Sequence, residues 1–340
     1  MKAAIVGFTG YTGLELVRLI QLHPVLEIGT LHSHSVQENS VNVYPHLQQL
    51  VNQRIYPFDP LQIMQENELV FFATPAGISK DLVSLFVEQD FPVMDLSGDL
   101  RLKEAGVYQQ WYQQTPAADR LLHAATYALP EFQTSHGNLM ANPGCYATAA
   151  ILAAAPLVRR KWLAGIPIFD GKSGLSGAGK KLSDTSHFVT ISENMRTYKL
   201  NQHQHIPEIV QQFQQWDPEL TAIQFSTSLI PVNRGIMMTL YVPVAPERTA
   251  EDIYQRYQED YQEQPFIRLQ PLGKLPELRQ VTGTNFCDIG LVLNPMTHIV
   301  TVIAVIDNLV KGAAGQAIQN VNKWAGLEET AGLRQIPWYP

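Results

Sequence analysis

The stretch Lys2-Ala3-Ala4-Ile5-Val6-Gly7-Phe8-Thr9-Gly10-Tyr11-Thr12-Gly13 decides the fold. Lys2 to Val6 is a short apolar run that reads as a buried strand. Leu14, Leu16, Val17, Leu19 and Ile20 then recur at helical spacing until His23-Pro24. Between strand and helix stand three glycines spaced G-x-x-G-x-x-G, not the standard G-x-G-x-x-G. Glycines in such a turn let backbone approach a pyrophosphate, which rests on the open N–H groups of the helix N-terminus. A plain turn is the alternative, because a glycine pattern carries weight only with a strand before it and a helix after it. Both are present here.

Leu26 to Leu31 reads as a second strand. An NAD enzyme usually places an acid at its end for the ribose 2′-hydroxyl. Here stand His32-Ser33-His34-Ser35, with no acid before Glu38. Hydroxyls and imidazoles donate to a 2′-phosphate, so NADP is expected over NAD; ordinary solvated loop residues are the alternative. Leu69 to Thr74 shows no alternation, as in a strand covered on both faces. Thr74-Pro75-Ala76-Gly77 follows, then a helix from Ser79 to Gln89. Pro92 to Leu96 is the next strand and leads to Ser97-Gly98-Asp99-Leu100-Arg101. Strand alternating with helix predicts a doubly wound parallel sheet, with ligands outside the carboxyl ends of its strands. Thr74, Ser97 and Arg101 fall on that edge. Residues 102–138 read as irregular.

Asn142-Pro143-Gly144-Cys145-Tyr146 holds one of only two cysteines. The alanine-rich run Ala147 to Ala155 follows and is helix-prone, so Cys145 is expected in the first turn of a helix. Open N–H groups and the helix dipole there favour a thiolate. Attack of that sulfur on a carbonyl carbon is the chemistry implied; a buried structural cysteine is the alternative.

Ile166 to Asp170 reads as a strand, and Gly171-Lys172-Ser173-Gly174-Leu175-Ser176-Gly177-Ala178-Gly179-Lys180-Lys181 follows. That loop offers N–H groups and cations to an oxyanion, or is simply a surface loop. His203-Gln204-His205-Ile206-Pro207-Glu208 opens a helix, since Pro207 suits its first position, which would leave His205 at the helix N-terminus. The two histidines could bind metal, but no acid, cysteine or third histidine accompanies them at helpful spacing. A general acid or base beside Cys145 is the chemical alternative, and a packed histidine the bland one. Phe225–Val232 and Ile236–Val244 alternate and read as long antiparallel strands, Val281–Leu293 and Ile299–Ile306 as two more strands, and Thr249–Tyr261 as an amphipathic helix. Grouped strands argue for a second, α+β domain with an exposed sheet face of the kind homo-oligomers bury. Asp307-Asn308-Leu309-Val310-Lys311-Gly312 then opens a helix through Trp324.

The totals agree. The 340 residues are 45% hydrophobic and 16% charged, with net charge −7. Two globular domains are expected, with no basic field for nucleic acid or membrane. Two cysteines make no disulfide framework, and a reducing cytoplasmic setting fits. No signal peptide is expected, and no apolar run of ~18 residues is present.

Taken together, the glycine turn Gly7 to Gly13, Asn142 to Thr148, the Ser173 to Gly179 loop, His203 to Glu208 and Asp307 to Ala317 resemble the N-acetyl-gamma-glutamyl-phosphate reductases, relatives of aspartate-semialdehyde dehydrogenase. The resemblance covers essentially the whole chain. Gln204 stands where the family usually shows Arg, and His34 where it often does. The resemblance implies a Rossmann-type NADP-binding domain, 1–144 plus 308–340, with an inserted α+β catalytic and oligomerisation domain, 145–307. It implies NADPH-dependent reduction of an acyl phosphate to an aldehyde, in arginine biosynthesis. Cys145 would be the nucleophile and His205 the acid. Gly7, Thr9, Gly10, Tyr11, Thr12, Gly13, Ser33, Ser35, Thr74, Pro75, Ser176, Gly177, Asn308 and Lys311 would hold NADP(H). Arg101, Ser173, Lys180, His203 and Glu208 would meet the substrate. A sibling reductase of another acyl phosphate, such as aspartyl phosphate, and a non-catalytic NADP-binding sensor are the other readings. A homo-oligomer, dimer or tetramer, is expected, and no metal.

Overall fold

The computed structural model describes residues 1–34, 38–133, 137–184 and 186–339. The chain divides into two compact units. The first is Met1–Pro143 with Ala313–Arg334, and the second is Gly144–Gly312 with Gln335–Pro340.

The first unit is built on seven strands: β1 (Lys2–Val6), β2 (Glu27–His32), β3 (Ile55–Tyr56), β4 (Leu69–Phe72), β5 (Val93–Asp95), β6 (Thr126–Tyr127) and β7 (Leu139–Ala141). They lie in the order β3-β2-β1-β4-β5-β7-β6, all parallel. This is a doubly wound sheet with β1 and β4 at its centre. Every residue of β4 is buried, which is why Leu69 to Phe72 shows no alternation. Val70, Phe72, Phe86, Val93 and Leu139 share one core cluster on a face of the sheet. The helix expected from Ser79 to Gln89 is two short ones, Ser79–Leu82 and Ser84–Glu88. The stretch read as irregular, 102–138, contains helices Ala105–Tyr112 and Asp119–Ala124 and the edge strand β6. These are short segments whose apolar residues are too few to show a period.

The second unit carries β8 (Ile168–Ser173), β9 (Arg196–Tyr198), β10 (Gln224–Leu229), β11 (Ile236–Pro243), β12 (Ile267–Leu269), β13 (Cys287–Asn294) and β14 (Ile299–Ile306). Their order is β12-β13-β14-β11-β8-β10-β9, mixed, with β8/β10 and β12/β13 parallel. The strand read from Val281 begins only at Cys287, after a turn held by Thr284. β8 runs on through Ser173, so the glycine- and serine-rich stretch starts as sheet.

The helix Cys145–Val158 is the centre of this unit, and every residue in it after Cys145 is buried. A helix apolar on all sides belongs in a core. Pro156 lies inside it and cannot donate to the Leu152 carbonyl. The Tyr261 hydroxyl donates to that carbonyl instead, and Tyr257 to the next, Ala153. Both tyrosines come from the amphipathic helix Ala250–Tyr261, whose start is fixed by a Thr249/Asp252 capping box. On the opposite face of the sheet a row runs across four strands. Ile168 pairs with Tyr241, Tyr241 with Thr301, and Thr301 with Val292. Ile168, Tyr241 and Val292 are each about two-fifths exposed, at 44%, 39% and 40%.

Candidate functional site

In the first unit, the glycine turn is dictated by contact. Gly7 has φ +92, and a β-carbon on it would lie 2.5 Å from the Ala73 carbonyl oxygen. A β-carbon on Gly13 would overlap Gly7 and Phe8 backbone. Gly10 is the N-cap of the helix Tyr11–Ile20, so Tyr11, Thr12 and Gly13 form its first turn. Its N–H groups face outward from the carboxyl end of β1. The turn is also tied sideways: Tyr44 Oη donates to the Thr9 carbonyl at 2.7 Å, and Thr9 Oγ1 lies 3.4 Å from Ser33 Oγ.

Of the residues after β2, Ser33 is buried and His34 is exposed. His32 is a packed histidine: its ring nitrogens meet the Pro57 carbonyl at 2.9 Å and Thr30 Oγ1 at 2.8 Å. Burial holds its pKa below the ordinary value. Ser35 lies outside the described residues. Thr74 and Pro75 follow β4, and Thr74 Oγ1 is buried with no hydrogen-bond partner.

Arg101 is buried, with Nε donating to the Asn142 carbonyl at 2.7 Å and Nη2 to the Leu96 carbonyl at 3.0 Å. It thereby joins the loop ends after β5 and β7. Beside it, Asp99 accepts from Gly77 N, Lys80 N, Ser79 Oγ and Tyr108 Oη. Asp95 accepts from Ser97 N and Oγ. Complete burial, then the neighbouring Asp99, pushes the Asp95 carboxyl up to about 6.

Gln316 was not singled out from sequence. It lies in the helix Gly315–Trp324, fully buried, and neither carboxamide atom has a hydrogen-bond partner. Asn142 Nδ2 donates to the Ala313 carbonyl, and Asn320 Nδ2 to Asn142 Oδ1. Along the chain Gln316 lies between Ala313 and Asn320, the two residues that meet Asn142. A buried amide this bare is costly unless something hydrogen-bonds to it.

In the second unit, Gly144 caps the helix and Cys145 is its first residue, half-buried. The Gly144 N–H donates to Glu208 Oε1 at 2.7 Å. Glu208 itself is fully buried, in the first turn of the helix His205–Gln214. The imidazole of His205, first residue of that helix, lies on Gly144 so closely that a β-carbon there would overlap the ring. From the other side, a β-carbon on Gly312 would come within 2.7 Å of Cys145 Cβ. Gly144 thus lets the His205 ring sit against the residue before the cysteine, and Gly312, in the π-helical turn Val310–Ala314, packs on the cysteine itself.

His203 stacks edge-on against His205, with ring centroids 4.6 Å apart, and against Tyr146 at 5.2 Å. Its Nδ1 accepts from the His205 N–H at 3.2 Å. Burial, then the Lys199 charge, pulls its pKa down to about 3, so His203 is neutral at physiological pH. Tyr146 and Tyr198 hydroxyls are 3.4 Å apart, and burial raises both, Tyr198 to about 12. Gln204 Oε1 accepts from Lys199 Nζ at 2.9 Å.

A second group sits at the ends of β8 and β14. Asn308 Nδ2 donates to Ser176 Oγ at 3.0 Å, and Asn308 Oδ1 accepts from Gly235 N at 2.7 Å. Ser173 is buried and donates to the Gly174 carbonyl, while Gly177 is exposed beside it. Lys311 is fully buried, its ammonium 5.8 Å from the Phe266 ring centre. Lys180 is exposed at the far end of the loop. Among the described residues no group of three or more His, Cys, Asp or Glu is placed to hold a metal, and no helix is long and apolar enough to cross a membrane.

Comparison with known proteins follows this division of the chain. Residues 2–139 match the family model described as semialdehyde dehydrogenase, NAD binding domain, and residues 145–308 match semialdehyde dehydrogenase, dimerisation domain. The chain is 51% identical over 342 residues to the N-acetyl-gamma-glutamyl-phosphate reductase of Streptococcus sanguinis. It is 48% identical over 343 residues to that of Listeria welshimeri; both alignments span 100% of both chains. The crystal structure of aspartate semialdehyde dehydrogenase II complexed with ASA from Vibrio cholerae shares the fold, with a TM-score of 0.69 at 16% identity over 96% of this chain and 98% of that one. With identity near one half along its full length, the chain belongs to the N-acetyl-gamma-glutamyl-phosphate reductase family of semialdehyde dehydrogenases.

Proposed function

We propose that this chain reduces N-acetyl-L-glutamyl 5-phosphate to N-acetyl-L-glutamate 5-semialdehyde with NADPH, releasing phosphate, as a step of arginine biosynthesis in the cytoplasm. The observation that carries the chemistry is the seating of the His205 ring on Gly144, next to a cysteine that opens a buried helix.

Cys145 Sγ, as thiolate, attacks the acyl carbon; the carbon–oxygen bond to phosphate breaks and phosphate leaves, taking one proton from water, to give a thioester. N–H groups of the first helical turn stabilise the oxyanion of each addition. NADPH, when bound, supplies the hydride that reduces the thioester carbon. His205 gives a proton to the resulting oxyanion and recovers it as the carbon–sulfur bond breaks. Aldehyde and thiolate are the products. His203 suits a different role. It stays neutral and, with Nδ1 accepting from His205 N–H, presents its other nitrogen as a donor to substrate. Glu208 and Arg101 are given to backbone instead of substrate, Glu208 to the Gly144 N–H and Arg101 to the Asn142 and Leu96 carbonyls, and substrate contact is proposed for Ser173, Lys180 and His203.

The dinucleotide suits the first unit. Gly7 and Gly13 bring backbone close at a helix N-terminus, and Thr74 Oγ1 and the Gln316 carboxamide are buried polar groups that a ligand would satisfy. Thr9, Gly10, Tyr11, Thr12, Ser33 and Pro75 line the same edge; for Ser176, Gly177, Asn308 and Lys311 a cofactor role rests on the family resemblance alone. A 2′-phosphate is favoured by the missing acid after β2. A second copy of the chain is the proposed partner, covering the row Ile168, Tyr241, Thr301 and Val292.

The test runs the reaction backwards. Phosphate and NADP are offered with N-acetyl-glutamate semialdehyde or aspartate semialdehyde. Higher kcat/KM for the acetylated aldehyde supports the assignment; preference for aspartate semialdehyde leaves only the reaction class. No phosphate-dependent NADPH formation with either would return the chain to the binding-only reading.

A further inference from the structure

The π-helical turn that touches Cys145 hangs from one carboxylate. Asp307 is fully buried. Its Oδ1 accepts from the N–H groups of Leu309 and Val310, at 2.8 and 3.2 Å, where that turn begins. Its Oδ2 accepts from Gly283 N at 2.8 Å and from Arg234 Nη1 at 3.4 Å. A buried carboxylate survives when both oxygens are met by donors, and here both are. The Gly312 N–H donates back to the Asp307 carbonyl at 2.9 Å, and Gly312 is the residue pressed on Cys145 Cβ.

Trp338 covers the far side of this junction. Its indole lies against Gly283 so that a β-carbon there would come within 2.7 Å of the ring. The Arg234 guanidinium lies 5.0 Å from the centre of the same indole. The Trp338 backbone N–H donates to the Thr282 carbonyl at 3.0 Å. One ring therefore touches both donors to Asp307 Oδ2.

We infer that Asp307 is a positioning residue for the Cys145 thiol, and that Trp338 locks it by holding Gly283 and Arg234 in place. The chain of contact is Trp338 to Gly283 and Arg234, to Asp307, to the turn at Leu309 and Val310, to Gly312, to Cys145. Loosening it lets the turn drift from Cys145 and the thiol rotate away from the helix N–H groups. A displacement near 1 Å at a reacting group is enough to lower turnover strongly. The consequence for turnover rests on Cys145 being the nucleophile; the consequence for the thiol does not.

The experiment is Trp338→Ala in the full-length protein, with circular dichroism confirming the fold. Iodoacetamide labelling of Cys145, followed by peptide mass at one fixed pH, is expected to slow about threefold or more. kcat is expected to fall about tenfold with KM for NADPH unchanged. Labelling at the parental rate or faster overturns the inference, whatever the activity. Slowed labelling with parental kcat also overturns it, because the thiol then needs no such positioning. If Trp338→Ala does not fold, Trp338→Phe is read by the same criteria. Asp307→Asn is the second variant: its amide presents N–H to one pair of donors in either orientation, so the same signature is expected, larger. Failure of the nucleophile assignment is seen separately, as turnover by Cys145→Ser.

Discussion

Both units hold their functional loops with buried carboxylates, but in different ways. In the first unit Asp95 and Asp99 stand side by side and share serine hydroxyls. Ser97 Oγ reaches Asp95, Ser79 Oγ reaches Asp99, and the two hydroxyls are 2.7 Å apart. In the second unit two carboxylates grip backbone, and Asp307 also faces the Arg234 guanidinium. Glu208 takes the N–H of Gly144, 64 residues away, and Asp307 takes that of Gly283, 24 away. A shared pair adds an internal cost to that of burial: burial first, and then the like charge of Asp99, pushes Asp95 up to about 6. A lone carboxylate on N–H groups carries no such penalty, but loses its purpose if the backbone it grips moves. The first arrangement should therefore respond to charge and the second to shape.

The largest effect belongs to the second. Cys145→Ser should lower kcat by at least ~10³-fold while dinucleotide binding is kept, because a hydroxyl is a poor nucleophile and a poor leaving group here. Activity within tenfold of the parent would remove the thioester route. Gly144→Ala tests shape directly. The added methyl must displace the His205 ring and strain the Glu208 contact, so a fall of about 10²-fold in kcat is expected, matching His205→Asn. If Gly144→Ala is mild while His205→Asn is severe, the contact is slack and shape does not govern this corner.

That contrast also explains what sequence could reveal. Strand, glycine turn and helix at Lys2 to Ile20 are contiguous, so pattern alone located them. Cys145 stood out through its turn and its alanine run. Gly312 against Cys145 and Glu208 against Gly144 are meetings of distant segments, with no local period to announce them. Gln316 is an ordinary polar residue at helical spacing until its surroundings prove dry. His32 shows the converse: one imidazole in a run of donors looks like a phosphate ligand, yet the fold turned it inward onto Pro57 and Thr30.

A smaller effect tests the edge of the first unit. Ser33→Asp puts a carboxylate beside Thr9, next to the glycine turn. It should repel a 2′-phosphate and lower the NADPH-over-NADH ratio of kcat/KM by about tenfold, with kcat on saturating cofactor little changed. An unchanged ratio would place the 2′-phosphate elsewhere.

The smallest effect on turnover, and the one that addresses charge, is Asp95→Asn. The native carboxyl is raised from an ordinary 3.8 to about 6, chiefly by burial and then by Asp99. Between roughly pH 4 and 6 the folded state thus binds more protons than the unfolded state, and stability falls as pH rises through that window. Above it the loss is complete, of order 1–3 kcal/mol for a shift of this size. An amide can take the place without breaking the network. Its oxygen accepts from Ser97 N as Oδ1 does, and its NH₂ donates to Ser97 Oγ. Ser97 then turns its hydrogen toward Ser79, and Ser79 donates to Asp99. The variant should match the parent near pH 4 in urea unfolding and exceed it at pH 7, with kcat within about twofold. A variant less stable than the parent at pH 7 would mean that the charge on Asp95 is needed to hold Ser97, and that the two units hold their loops by one principle after all.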